Sequence, residues 1–151
     1  MNENKLNIIK DKFSSVEIVD GKGYIEIFVA LNELHELCYF LKNEKDFGYD
    51  YQFCMTAVDN PDYFLLVYHF ENTETKECVV VKAKTEGREN PFADTVCDIW
   101  PSSEFFEREV FDLFGIKFKN HPDLRRIFLE DDWQGYPLRK DYIDEINIIE
   151  R

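Results

Sequence analysis

Two glutamates flank an arginine at Glu107-Arg108-Glu109, an aspartate follows at Asp112, and His121, Arg125 and Arg126 lie a short distance downstream. These residue types allow two kinds of chemistry. In the first, Glu107 or Glu109 works as a general acid/base with His121, and Arg125 clamps a developing oxyanion. In the second, the same groups form a structural ion-pair network. Glu107 and Glu109 are then held by Arg125 or Arg126, or by an arginine of another chain, because an unpaired buried carboxylate is strongly penalised. Networks of this kind are the commoner source of the pattern, so the second reading leads. No other reactive constellation stands out. His35, His69 and His121 are far apart and none has a carboxylate at metal-ligand spacing. The glycines are scattered and build no phosphate-binding loop.

The carboxylates sit on a helix. Pro101 suits its first turn, Ser102 or Ser103 can cap its free amides, and Gly115 stands where a left-handed stop belongs. At 100° per residue Glu104, Arg108 and Asp112 fall on one narrow stripe and can pair with one another. Phe105, Phe106, Val110, Phe111, Leu113 and Phe114 fill most of the remaining circumference. A surface helix keeps about half of its girth wet. This one does not, so burial on more than one side is expected.

The run continues as His121-Pro122-Asp123-Leu124-Arg125-Arg126-Ile127, then Trp133, then Gly135-Tyr136-Pro137-Leu138-Arg139-Lys140-Asp141. With Glu107-Arg108-Glu109 and Asp112-Leu113-Phe114-Gly115 it resembles the C-type subunit of NADH-quinone oxidoreductase, the 30-kDa subunit family of respiratory complex I. Related domains occur in membrane-bound energy-converting nickel-iron hydrogenases. The likeness is unbroken from Glu107 to Ile127. Two positions depart from it: Tyr136 stands where the family usually carries His, and Ile143 where a Pro commonly follows.

The resemblance implies a non-redox structural subunit in the peripheral arm of a membrane-attached oxidoreductase. Iron–sulfur clusters, flavin or a nickel-iron centre would be held by other subunits, and no cofactor, metal or catalytic centre is expected here. The implied partners are the D-type subunit, related to the hydrogenase large chain, and the adjacent iron–sulfur subunit. Contact with them would fall to Glu107, Arg108, Glu109, Asp112, His121, Asp123, Arg125, Arg126, Trp133, Arg139 and Lys140. The equivalent subunit of an energy-converting hydrogenase is the alternative, and a stand-alone acid/base enzyme is the reading from another class.

Composition agrees with a protein-binding role. With 31 acidic against 18 basic residues the formal charge is −13. Nucleic acid and anionic lipid reward the opposite sign. Apolar residues make up 44% of the 151 and aromatics 16%, which suffices for one packed domain. No apolar run approaches the roughly 20 residues that span a bilayer, and the first residues carry no signal-like core. The chain is therefore expected on the cytoplasmic side of the cell membrane, attached only through other subunits. Cys38, Cys54, Cys78 and Cys97 lack the close spacing of a metal site and sit in apolar patterns, as structural thiols do.

Ahead of the central helix, residues 3–12 read as a helix, and Val16–Val19 and Tyr24–Val29 as a hairpin. Leu31–Lys42 reads as a second helix, with Leu31, Leu34, Cys38 and Leu41 on one face. Strands follow at Tyr51–Val58, with Phe53, Met55 and Ala57 on one side, at Tyr63–Phe70, apolar on both sides, and at Glu77–Lys84. Residues 85–91 read as a polar loop, and Ile116–Phe118 as a short strand. The order helix, two strands, helix, three strands predicts a two-layer α+β domain over residues 1–115, a mixed sheet with helices on one face. Residues 116–151 read as an extended arm. A structureless stretch this long is uncommon inside a compact domain, and its aromatics and arginines are what interfaces favour.

Overall fold

The computed structural model describes residues 1–21 and 23–144. Helix α1 (Glu3–Lys12) is capped by the Asn2 side chain, which accepts from the Lys5 amide, and it buries Ile9. The hairpin β1 (Glu17–Asp20) and β2 (Ile25–Val29) follows. Its turn contains residue 22, which lies outside the described residues. A 3-10 turn at Leu31–Glu33 leads into α2 (Leu34–Asn43), then β3 (Tyr51–Asp59), β4 (Phe64–Glu71) and β5 (Cys78–Lys84).

The sheet order is β1-β2-β5-β4-β3. Strand β2 runs parallel to β5 and every other pair is antiparallel. The register aligns Ile27 with Val81, Val81 with Tyr68 and Tyr68 with Met55. This row and its neighbours pack under Leu34, Leu37, Cys38 and Leu41 of α2 in one apolar core. Trp100 closes the core by stacking on Phe70 at 4.1 Å while its indole N–H donates to the Tyr49 carbonyl at 3.2 Å. The mixed two-layer α+β architecture expected from the sequence is the one observed.

Strand β3 departs from simple alternation. A bulge between Gln52 and Cys54 shifts the register by one residue, so Gln52 turns inward and is buried while Phe53 moves to the outer face beside His69. The expectation that Phe53 shares a face with Met55 and Ala57 is therefore corrected: the period of two fails across a bulge. The inward Gln52 carbonyl accepts from the hydroxyls of Ser103 and, at 3.5 Å, Ser102. Those serines consequently make no side-chain cap to their own helix. They tie its start to β3 instead.

Helix α3 (Ser103–Phe114) packs against β3 and ends at Gly115, whose φ of 73° is the left-handed stop. The expected polar loop ends in a further short strand, β6 (Phe92–Asp94), paired parallel with β7 (Lys117–Lys119) as a second, two-stranded sheet. Beyond β7 the described residues form neither helix nor strand. Residues 145–151 of the expected arm lie outside the described residues. No helix among the described residues is long and apolar enough to cross a membrane.

Candidate functional site: a clamp between helix α3 and the following arm

Asp112 has no exposed surface, and four donors converge on it. Its carboxylate accepts from Arg126 Nη1 at 2.7 Å and from three successive amides, Ile127, Phe128 and Leu129, at 3.0, 2.7 and 3.0 Å. Burial alone would push the Asp112 carboxyl up. Arg126 and the amides outweigh it and hold the group below the usual carboxylate range.

Arg126 spreads outward from this point. It also donates to the Asp112 carbonyl at 2.9 Å and, through Nη2, to the carbonyls of Trp133 at 3.0 Å and Gly135 at 3.1 Å. Arg108, one helical turn earlier, donates to the carbonyls of Arg125 and Arg126 at 3.2 and 3.0 Å. The expected pairing of Glu104, Arg108 and Asp112 along the helix is therefore corrected. Arg108 and Asp112 instead satisfy the backbone of a segment that has no ladder of its own.

The arm continues around the end of the helix. Arg126 and Arg139 lie 5.3 and 4.7 Å from the centre of the Tyr136 ring. Arg139 Nε donates to the Phe114 carbonyl at 2.6 Å, and the Leu138 amide to the Leu113 carbonyl at 3.1 Å. The Lys140 amide donates to the buried Asp59 carboxylate at 2.7 Å, while the Lys140 side chain is left outside. Asp59 in turn pairs with Arg88, which reaches Asp141 at 3.0 Å. Sequence reasoning misses Asp59 and Arg88. Only the place of Asp59 at the end of β3 and of Arg88 in the loop after β5 hints at a role, because the Asp59 partner on the arm is 81 residues away.

The two glutamates behave differently from each other. Glu107 is fully buried, but neither Arg125 nor Arg126 holds it, which corrects the expected ion pair. Its partners are the Thr95 hydroxyl and, at 2.8 Å, the Val96 amide. Desolvation drives its carboxyl up to about 7, opposed by those two hydrogen bonds and assisted by the negative charge of Asp98. Glu109 is half-buried and has no ion pair among the described residues. Arg125 is exposed and pairs with Asp123 at 2.8 Å.

His121 Nε2 lies 3.0 Å from the Glu104 carbonyl and 4.0 Å from Glu107 Oε2, and His121 Nδ1 accepts from the Asp123 amide at 3.1 Å. The side chains of Glu107 and His121 have no exposed surface, and Arg125 points elsewhere. The acid/base arrangement with an arginine clamp is thus not assembled. Outside the clamp, His35 pairs with Asp98 at 2.9 Å.

Because the folded-state value of Glu107 is raised, the folded chain binds more protons than the unfolded one between pH 4.5 and about 7. Stability is therefore highest below that window and declines as pH rises through it, by about 3 kcal/mol at full deprotonation. Glu107→Gln, which keeps an acceptor for Val96 and a polar group for Thr95, should remove this slope. Chemical denaturation of both proteins at pH 5 and pH 8 checks it, and equal slopes would contradict the assignment.

Known proteins share this sequence pattern and this fold. Residues 27–145 match the family described as respiratory-chain NADH dehydrogenase, 30 Kd subunit. The NADH-quinone oxidoreductase C/D subunit of Phocaeicola vulgatus is 46% identical over 122 residues, which are 80% of this chain and 23% of that protein. The NADH-quinone oxidoreductase C subunit of Geotalea uraniireducens is 42% identical over 150 residues, covering 94% of this chain and 89% of that one. A similar fold occurs in the membrane-bound sulfane sulfur reductase, an archaeal respiratory membrane complex. There the TM-score is 0.80 at 28% identity, covering 95% of this chain and 86% of the other. The Glu107 to Asp141 pattern, the α+β fold that carries it and the extent of these matches agree: the chain belongs to the respiratory-chain NADH dehydrogenase 30 Kd subunit family.

Proposed function

We propose that this chain is a non-redox bracing subunit in the peripheral arm of a membrane-attached NADH-quinone oxidoreductase, on the cytoplasmic side. It carries no electron. Flavin, iron–sulfur clusters and the quinone site belong to its neighbours, among them its direct partners, the D-type subunit and the adjacent iron–sulfur subunit. One observation carries the reading. The arm is held rigidly by polar bonds to buried groups, yet large aromatic side chains on it and on α3 point away from the core. Phe105 and Phe128 are 59% and 64% exposed, and the Trp133 indole N–H is buried without an acceptor among the described residues. Polar bonds fix the backbone, and exposed aromatics then meet a second polypeptide without further ordering cost. The combined C/D name of relatives such as the Phocaeicola vulgatus protein supports the D-type subunit as that polypeptide.

Phe105→Asp and Phe128→Asp test this, and Phe128 enters the clamp only through its backbone amide, which the substitution keeps. Both side chains are exposed, so folding stability should change by about 1 kcal/mol or less. The amount of assembled complex should fall severalfold, while turnover per assembled complex stays near wild type. Native gels with activity staining separate the outcomes, and full assembly with lost turnover would refute bracing. A second reading keeps the same clamp in a related membrane complex with another terminal acceptor, such as an energy-converting nickel-iron hydrogenase. The likeness to the sulfane sulfur reductase fold supports keeping it.

A further inference from the structure

Glu107 is a buried carboxyl without a cation. Among the described residues no lysine or arginine bonds to it, and its two hydrogen bonds come from neutral donors, the Thr95 hydroxyl and the Val96 amide. The titratable groups that face it are Cys38 from α2, Tyr68 from β4, Cys97 and Asp98 from the loop after β6, and His121 after β7. His121 is the one base in that set, and besides its N–H only the neutral Tyr68 hydroxyl and the two thiols carry a hydrogen to donate. Its Nε2 bonds the Glu104 carbonyl at 3.0 Å, yet Glu107 Oε2 is only 4.0 Å away. A small rotation of the ring moves the N–H from the carbonyl to the carboxylate.

Two further features make that movement consequential. A cavity of about 550 Å³ has Thr95, Asp98 and Asn120 in its wall, and the Thr95 hydroxyl contacts Glu107. One residue therefore separates the carboxyl from that cavity. Asn120, on the wall of the same cavity, has a φ of 63° and immediately precedes His121. It takes the left-handed conformation at the point where the arm departs from β7. Downstream, the Asp123 amide rests on His121 Nδ1, and the Arg125 and Arg126 carbonyls are held by Arg108.

The geometry points to the Glu107–His121 pair as a proton-operated latch at the root of the arm. With Glu107 protonated, His121 stays on the Glu104 carbonyl and residues 120–126 are held closed. When the proton leaves through the Thr95 cavity, the His121 N–H turns to the carboxylate, the Asp123 contact breaks and the segment loosens. The latch is internal to this chain, so it stands apart from the identity of whatever covers the arm.

Amide hydrogen exchange on the full chain, corrected for intrinsic rates between pH 5.5 and 8.5, tests it. Protection of residues 120–126 should drop about tenfold more than that of α2 as pH rises past about 7, with α2 following only the decline in global stability. Glu107→Gln should hold the low-pH protection throughout. Parallel curves for the two proteins, or a loss shared equally by α2, would overturn the latch. Should Glu107→Gln fail to fold, nitrogen NMR of the wild-type His121 ring decides. An Nε2–H resonance that shifts with the same midpoint supports the latch, and one that does not move refutes it.

Discussion

Asp112→Ala should release the arm from the body of the protein. The substitution strands Arg126 and leaves the amides of Ile127, Phe128 and Leu129 without their acceptor. Removing one side of a buried charged network costs about 3–5 kcal/mol. Residues 124–130 belong to no helix or strand and keep only scattered bonds such as those of Arg108 to the Arg125 and Arg126 carbonyls, so the loss appears first as local opening and not as global unfolding. An opening easier by about 3 kcal/mol raises the open population by about a hundredfold. Trypsin cleavage after Arg125 and Arg126 reports it, with the fragment ahead of the cut surviving as a resistant species. Asp112→Asn, which keeps one acceptor oxygen, should cut at an intermediate rate. Because the Asp112 value is held low in the fold, its contribution is complete above the ordinary range near 3.8 and disappears as pH falls below it. Wild-type protein should therefore open the same segment in acid, read as cleavage within residues 124–130 by an acid-active protease. An Asp112→Ala arm as resistant as wild type would mean that other contacts hold it.

Gly115→Ala carries the second large effect, and it acts through two causes at one atom. The residue sits at φ 73°, where a side chain costs about 1–2 kcal/mol. A Cβ there would also come within 2.4 Å of the Tyr136 ring and 2.7 Å of Arg139 Nη2. The ring is held between Arg126 and Arg139, so it cannot yield without disturbing the arm's return path. The combined loss should exceed about 2 kcal/mol and lower the melting temperature by several degrees. A Tyr136→Ala background removes the ring contact and leaves the backbone cost and the approach of Arg139, the flexible end of a side chain. In that background Gly115→Ala should cost distinctly less than in the wild type. An identical cost in both backgrounds would show that the approach of Tyr136 has no energetic role.

How far the sequence carries is clear from particular residues. Gly115 as a stop, the apolar face of α2 and the strand periods are local signals, and they are where the chain puts them. Phe53 breaks its period because a bulge is a one-residue event that composition does not mark. The short β6 leaves no local signal because its partner, β7, lies beyond a whole helix.

The clamp is half visible in the sequence. Arg126 and Asp112 stand out as charged residues in an apolar run, but their pairing with each other does not. A stripe of charges spaced at one helical turn looks the same whether its members bond along the helix or reach out to a strandless backbone. Glu107 reads as a buried acid in need of a partner. That partner is a hydroxyl and an amide from the loop after β6, and no pattern along the sequence identifies those.

Bracing requires another polypeptide to cover the outward face of α3 and its arm. Photo-crosslinking amino acids placed at Phe105 and Phe128, one at a time, in the assembled membrane complex address that face directly. Adducts should form at both positions, and mass spectrometry should place them on a neighbouring D-type subunit. If both positions stay uncoupled in fully assembled, active complex, that face is open to water and the bracing role is wrong.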